Sequence, residues 1–229
     1  MIKHVAFRVY IMYNYFTVGK LCRDHTAPDE RLIKMERKSK HHVKVEYDSP
    51  VILTIAILSF AALILNMLTG GKSNTFAFSV YRGSLASPMF YVRLICHVLG
   101  HADFAHFFGN MSLLLIIGPT VERRYGSLDL LVSIIFTAVV SGVVHCLVSP
   151  GTALLGASGI VFMCIFLSTV ENIGDGKLSL TFVFVALFYF GQAIYEGIFR
   201  ADNVSQLGHI VGGLCGIACG YIMRKRLRK

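Results

Sequence analysis

The chain has 229 residues, 55% of them hydrophobic and only 15% charged. A soluble domain carries about a quarter charged residues; here the apolar residues gather in blocks from Val51 onward, which excludes an ordinary soluble globule. The net charge of +9 lies mostly in the first 48 residues and the last six, beside apolar blocks, so it reads as a topology signal facing lipid head groups and argues against a nucleic-acid surface.

Residues 1–48 are basic and of mixed polarity. Val5 to Val18 is apolar, but Arg8 and Asn14 interrupt it and no small-residue cleavage site follows, so a cytoplasmic or interfacial extension is expected. The first span opens with Ser49-Pro50, a cap and first-turn pair, and runs to about Leu68. A long polar stretch, Thr69 to His101, follows. The second span covers about Phe104 to Val121 and ends at Glu122-Arg123-Arg124. The third covers about Leu128 to Val148 and is broken by Ser149-Pro150-Gly151. The fourth, about Leu154 to Val170, is short for the ~20 residues that cross a bilayer. The fifth covers about Leu178 to Ile198 and the sixth about Gln206 to Met223.

The expectation is therefore an all-α, polytopic membrane protein with six transmembrane helices over 49–223, a basic N-terminal segment 1–48 and a basic tail 224–229. Six spans put both termini on one side, and 18 of the 22 Lys and Arg fall on that side. By the positive-inside rule both termini are cytoplasmic, and the cell membrane is the expected location. The cysteines show no CxxC or Cys/His spacing, so neither a disulfide framework, a metal site nor any cofactor is expected.

Polar residues inside spans are costly and mark function. His101 and His106 lead into the second span, with Asn110 one turn later. Ser158 sits in Gly156-Ala157-Ser158-Gly159 near the start of the fourth span, and His209 near the start of the sixth. These three spans run in the same direction, so all three groups lie at similar depth near the outer side. A serine hydroxyl needs a base to become a nucleophile, and His209 is the partner at matching depth. Free N–H groups where the helix opens at Ser158, together with His106 and Asn110, could hold an oxyanion. Gly208, Gly212, Gly216 and Gly220 repeat every four residues and predict close packing of the sixth helix on the fourth. His97 and His145 read as structural or interfacial, and Cys215 and Cys219 as packing residues.

Four stretches taken together resemble the rhomboid intramembrane serine proteases: His101 to Asn110, Val121 to Ser127, Gly156 to Gly159, and Gly208 to Gly216. They occur in that family's order and on its second, fourth and sixth helices. The resemblance implies a six-helix bundle with a membrane-associated first loop and a Ser158–His209 dyad that cuts transmembrane substrate segments near their outer end. It implies an oxyanion hole of His106 and Asn110, a structural polar pair of Glu122 and Arg124 supporting the first loop and the inner end of the second helix, and a supporting role for His101, Gly156 and Gly159. Phe162 stands where the family usually has a tyrosine stacked on the histidine, and Val92 where it has a tryptophan. The implied partners are transmembrane protein substrates and the lipid bilayer. A gate would be formed by the fifth span, with Gly191 and Gly197 as bending points. A Ser–His–Asp triad using Asp103 or Asp202 is a variant. The rival class is a catalytically inactive relative that binds membrane helices in quality control; a transporter is a weaker rival.

Overall fold

The computed structural model describes residues 47–174 and 203–227 together with Leu180, Val183, Phe184, Leu187 and Gly191. Residues 1–46 of the expected N-terminal segment, nearly all of the fifth span including Gly197, and Asp202 lie outside the described residues. Among these the architecture is helical: α1 (Pro50–Leu68), a π-helical turn (Asn74–Phe78), α2 (Pro88–Cys96), a 3-10 turn (His97–Leu99), α3 (Phe104–Tyr125), α4 (Ser127–Val148), α5 (Ser158–Gly174) and α6 (Asn203–Leu227). The one extended pairing among them is an isolated antiparallel bridge between Val80 and Leu154.

Among the described residues four stretches are long and apolar enough to cross a membrane: Pro50–Leu68, Phe104–Tyr125, Ser127–Val148 and Gln206–Met223. Their outward faces carry large apolar side chains, among them Phe60 and Met67 on α1, Ile116 on α3, Val132 on α4 and Leu214 on α6, all exposed. So much exposed hydrocarbon suits lipid and not water. The short α5 is instead enclosed by protein, with Ile160, Met163, Cys164, Ile165 and Leu167 all at most 2% exposed.

The stretch between α1 and α3 is more than a polar loop. Pro88 starts α2, which buries Phe90, Arg93 and Leu94 on one face and exposes Tyr91, Val92 and Ile95 on the other. At nine residues it is far too short to stand out as a span, and Arg93 interrupts its apolar run.

Ser49 does not cap α1, since its hydroxyl makes no capping bond. The free N–H groups of Val51 and Ile52 donate to the two carboxylate oxygens of Glu122 at 3.0 and 3.1 Å. The Ser127 hydroxyl donates to the same carboxylate at 2.7 Å. A buried carboxylate at the end of α3 therefore neutralises the positive end of α1 and closes the turn into α4. Glu122 thus braces the start of the first helix, at the far end of α3 from the first loop.

Among the described elements, α5 and α6 share the most extensive contact. Gly212 lies so close to the backbone of Gly159, and Gly216 to that of Met163, that a β-carbon at either would overlap main-chain atoms. Substituting Gly212→Ala should lower the unfolding free energy by about 1–3 kcal/mol through overpacking. Gly109→Ala, inside α3 where nothing lies within 4 Å of the added carbon, should instead raise it by about 0.4–1 kcal/mol. Thermal or steric-trapping unfolding in detergent compares the two.

Candidate active site

Ser158 is the first residue of α5, half-buried and reachable. Phe162 follows one turn later on the same face, and its ring stacks on that of His209 with centroids 4.5 Å apart and planes 12° from parallel. The chain neighbours of the two polar residues also meet: a β-carbon on Gly159 would stand 3.4 Å from the Gly208 carbonyl oxygen. Ser158, Phe162 and His209 thus share one end of the α5–α6 seam. The phenylalanine supplies the stacking surface without a hydroxyl.

His106 and Asn110 come to the same place from α3. Gly156 has φ +120°, a conformation that L side chains rarely adopt. A β-carbon there would lie 2.8 Å from His106 Nε2 and 3.5 Å from Asn110 Nδ2. Only the missing side chain lets these two donors reach the turn that leads into Ser158. Asn110 is 8% exposed, and its Nδ2 has no acceptor among the described residues. A buried donor without an acceptor is costly, unless a negative charge forms there during a reaction.

The first loop holds this turn in place. Val80 and Leu154 exchange backbone hydrogen bonds at 2.9 and 2.8 Å, and the Gly156 N–H donates to the His97 carbonyl at 2.9 Å. The sequence read His97 as structural or interfacial, and it reaches the site through its main chain; its spacing four residues before His101 was the available signal. His97 Nε2–H donates to the Ala138 carbonyl at 3.0 Å. Together with Ser141 on α4 and Ser158 itself, it lines a cavity of about 10 Å³, close to what one water molecule needs.

His101 is fully buried. Its Nδ1–H donates to the Leu99 carbonyl at 3.1 Å, and its ring packs edge-on against His106 at 5.1 Å and Phe107 at 5.4 Å. It backs His106 without reaching Gly156. Asp103 caps α3 by accepting from the His106 N–H at 2.8 Å, which commits it to the helix start. Glu122 and Arg124 stand at the opposite end of α3 from these groups. Arg123, between them, pairs with Asp48 at 3.2 Å on the surface.

The structure thus brings Ser158, His209, His106 and Asn110 to one end of the bundle, and the comparison with known proteins shows the family. Residues 89–226 match the rhomboid domain. The chain belongs to the rhomboid family. Among its relatives, Rhomboid protease GluP of Bacillus subtilis is 24% identical over 82% of this chain and 38% of its own length. Rhomboid-related protein 1 of Caenorhabditis elegans is 30% identical over 57% of this chain and 39% of its own. Rhomboid protease GlpG of Haemophilus influenzae is 30% identical over 60% of this chain and 71% of its own. The chain therefore spans well under half the length of the first two. As a rhomboid it is an all-α, multi-pass integral membrane protein, consistent with its apolar helices.

Burial drives the His97 and His101 rings down from the ordinary 6.5 to about 4. For His101, the nearby His106 adds to the effect. Both are neutral in the folded rhomboid at pH 7. Their contribution to stability is present above pH 6.5 and is lost as the pH falls toward 4, because the unfolded chain takes up protons first. Unfolding at pH 4.5 should need less denaturant than at pH 7.5, and His101→Gln should shrink that difference. An unfolding midpoint unchanged between the two pH values would contradict the assignment.

Proposed function

We propose that this rhomboid is a serine endopeptidase that cuts transmembrane segments of other membrane proteins, with Ser158 as nucleophile and His209 as general base. One observation carries the reading: Ser158 at a helix start, His209 beneath Phe162, and the donors of His106 and Asn110 against Gly156 lie around a single turn. Two of the relatives are named as proteases, which supports the same reaction.

In this mechanism a substrate helix unwinds locally and offers a carbonyl carbon to Ser158 Oγ. His209 takes the hydroxyl proton as the C–O bond forms, and the carbonyl oxygen becomes an oxyanion. The Ser158 N–H at the positive end of α5, with His106 and Asn110, stabilises that charge. His209 then hands its proton to the departing amine, and the C–N bond breaks. Water regenerates Ser158 by the reverse sequence, with His209 again as base. The cavity beside Ser158 is a place from which that water can come. His101 and Phe162 position the two histidine rings, Gly156 and Gly159 permit the approach, and no metal or cofactor takes part.

The proposed arrangement in the membrane has both termini in the cytoplasm, with residues 1–48 and 224–229 as basic flanks. The site then faces the outer side of the cell membrane. Glu122 and Arg124 serve the fold at the inner end. A gate in the fifth span remains part of this proposal.

The deciding experiment is cleavage of a model transmembrane substrate in liposomes by the wild type, Ser158→Ala and His209→Ala. Each variant should lose at least about 10³-fold in rate, and a fluorophosphonate probe should label the wild type but not Ser158→Ala. The cut should map near the outer end of the substrate helix. Folded wild-type protein that binds substrate helices yet takes no label and cuts nothing would instead be the inactive binder.

A further inference from the structure

Residues 49–102 contain three cations, Lys72, Arg82 and Arg93, and no Asp or Glu. All three lie in the first loop between α1 and α3, which sits at the same end of the bundle as Ser158 and is tied to the turn before it by the Val80–Leu154 bridge. Between the end of α1 and the start of α2 is an open pocket of about 730 Å³, walled by Gly71, Lys72, Thr75, Phe76, Tyr81 and Arg93 among others.

Arg93 is the unusual member. It is 8% exposed, and its Nη1 donates to the Tyr81 hydroxyl at 2.7 Å while the guanidinium lies 4.2 Å over the Tyr81 ring. The Tyr81 hydroxyl donates in turn to the Thr75 carbonyl at 3.2 Å. Arg93 Nε is buried with no acceptor among the described residues. The one ion pair found among them, Arg123–Asp48, is elsewhere. A buried guanidinium held by an aromatic face and a neutral hydroxyl lacks the anion that burial ordinarily requires. Lys72 stands exposed at the same pocket.

The surroundings say what kind of anion fits. Phe76 at the pocket wall is 64% exposed, and Leu85, Tyr91, Val92 and Ile95 expose apolar surface on the adjoining turn and on α2. A free inorganic anion would leave that apolar rim in water, whereas a phospholipid covers it with acyl chain. A phosphodiester accepts from a guanidinium in two places and balances charge with Lys72.

We propose that the pocket of Lys72, Tyr81 and Arg93 binds the phosphate of an anionic phospholipid in the leaflet on the active-site side. The bound head group joins the end of α1 to α2, and α2 runs directly into His97, whose carbonyl holds Gly156. The site does not depend on the protease reading.

The chain has no tryptophan, so Phe76→Trp gives a single fluorescent reporter at the pocket, and Ile116→Trp, at a residue 72% exposed on the middle of α3, reports the bulk bilayer. Each is reconstituted in phosphatidylcholine vesicles containing a small fraction of dibrominated phosphatidylglycerol or dibrominated phosphatidylcholine. At Phe76→Trp the brominated anionic lipid should be preferred over the zwitterionic one by about five-fold or more, the enrichment expected for one surface cation. At Ile116→Trp the two should quench alike. Lys72→Gln in the Phe76→Trp background should lower the preference by about that factor. Arg93→Gln should abolish it, and Lys72→Gln keeps the test valid even if Arg93→Gln does not fold. Excess inorganic phosphate should leave the quenching unchanged; relief of quenching would show a free-phosphate site and overturn the lipid assignment. Equal preference at Phe76→Trp and Ile116→Trp, or a preference untouched by Lys72→Gln, would also overturn it.

Discussion

A serine on one membrane helix can meet a histidine on another only if the two backbones come nearly into contact. In this rhomboid the contact is made by glycine: Gly212 rests on the main chain of Gly159, and Gly216 on that of Met163. Lipid offers little hydrophobic drive for helices to associate, so close backbone approach supplies the attraction. The same seam sets the distance between Ser158 and His209 and lets Phe162 lie flat on the histidine. Packing and site chemistry therefore depend on one constraint, and a single methyl group added to that seam disturbs both.

The second support is the first loop. It ties down the turn that leads into Ser158, giving Val80 to Leu154 and the His97 carbonyl to Gly156. Irregular backbone at membrane depth must find its hydrogen bonds in protein, and Leu154 and Gly156 find theirs here. The loop also carries the group that backs α3: Asn74 Nδ2 donates to the His101 carbonyl at 2.9 Å, and the His101 ring packs edge-on against His106. Anything that steadies α2 thus reaches Gly156 through the 3-10 turn.

At the other end, Glu122 performs the task that the sequence assigned to Ser49. A side chain from α3, remote in sequence, satisfies the first N–H groups of α1 and the hydroxyl that opens α4. One buried carboxylate orders three helices where a local cap would have ordered one. Its negative charge is tolerated because it sits on a helix N-terminus and takes three hydrogen bonds.

Much of this was legible in the residues. Apolar block lengths located α1 from Pro50 to Leu68, and the starts and ends of α3 and α4 to within a few residues, because the bilayer dictates how long a span must be. The four-residue glycine repeat foretold the seam, since only small residues allow such contact. The spacing of His106 and Asn110 placed them on one helix face. What the residues could not disclose was which polar group each would find: Glu122 instead of Ser49 at α1, the His97 carbonyl under Gly156, Asp103 committed to capping, and the short helix α2 inside a stretch that read as polar loop. These choices depend on which atoms from distant parts of the chain lie within hydrogen-bond reach. Chain length and polarity determine that helices cross the membrane, and tertiary packing alone decides which orphaned groups meet.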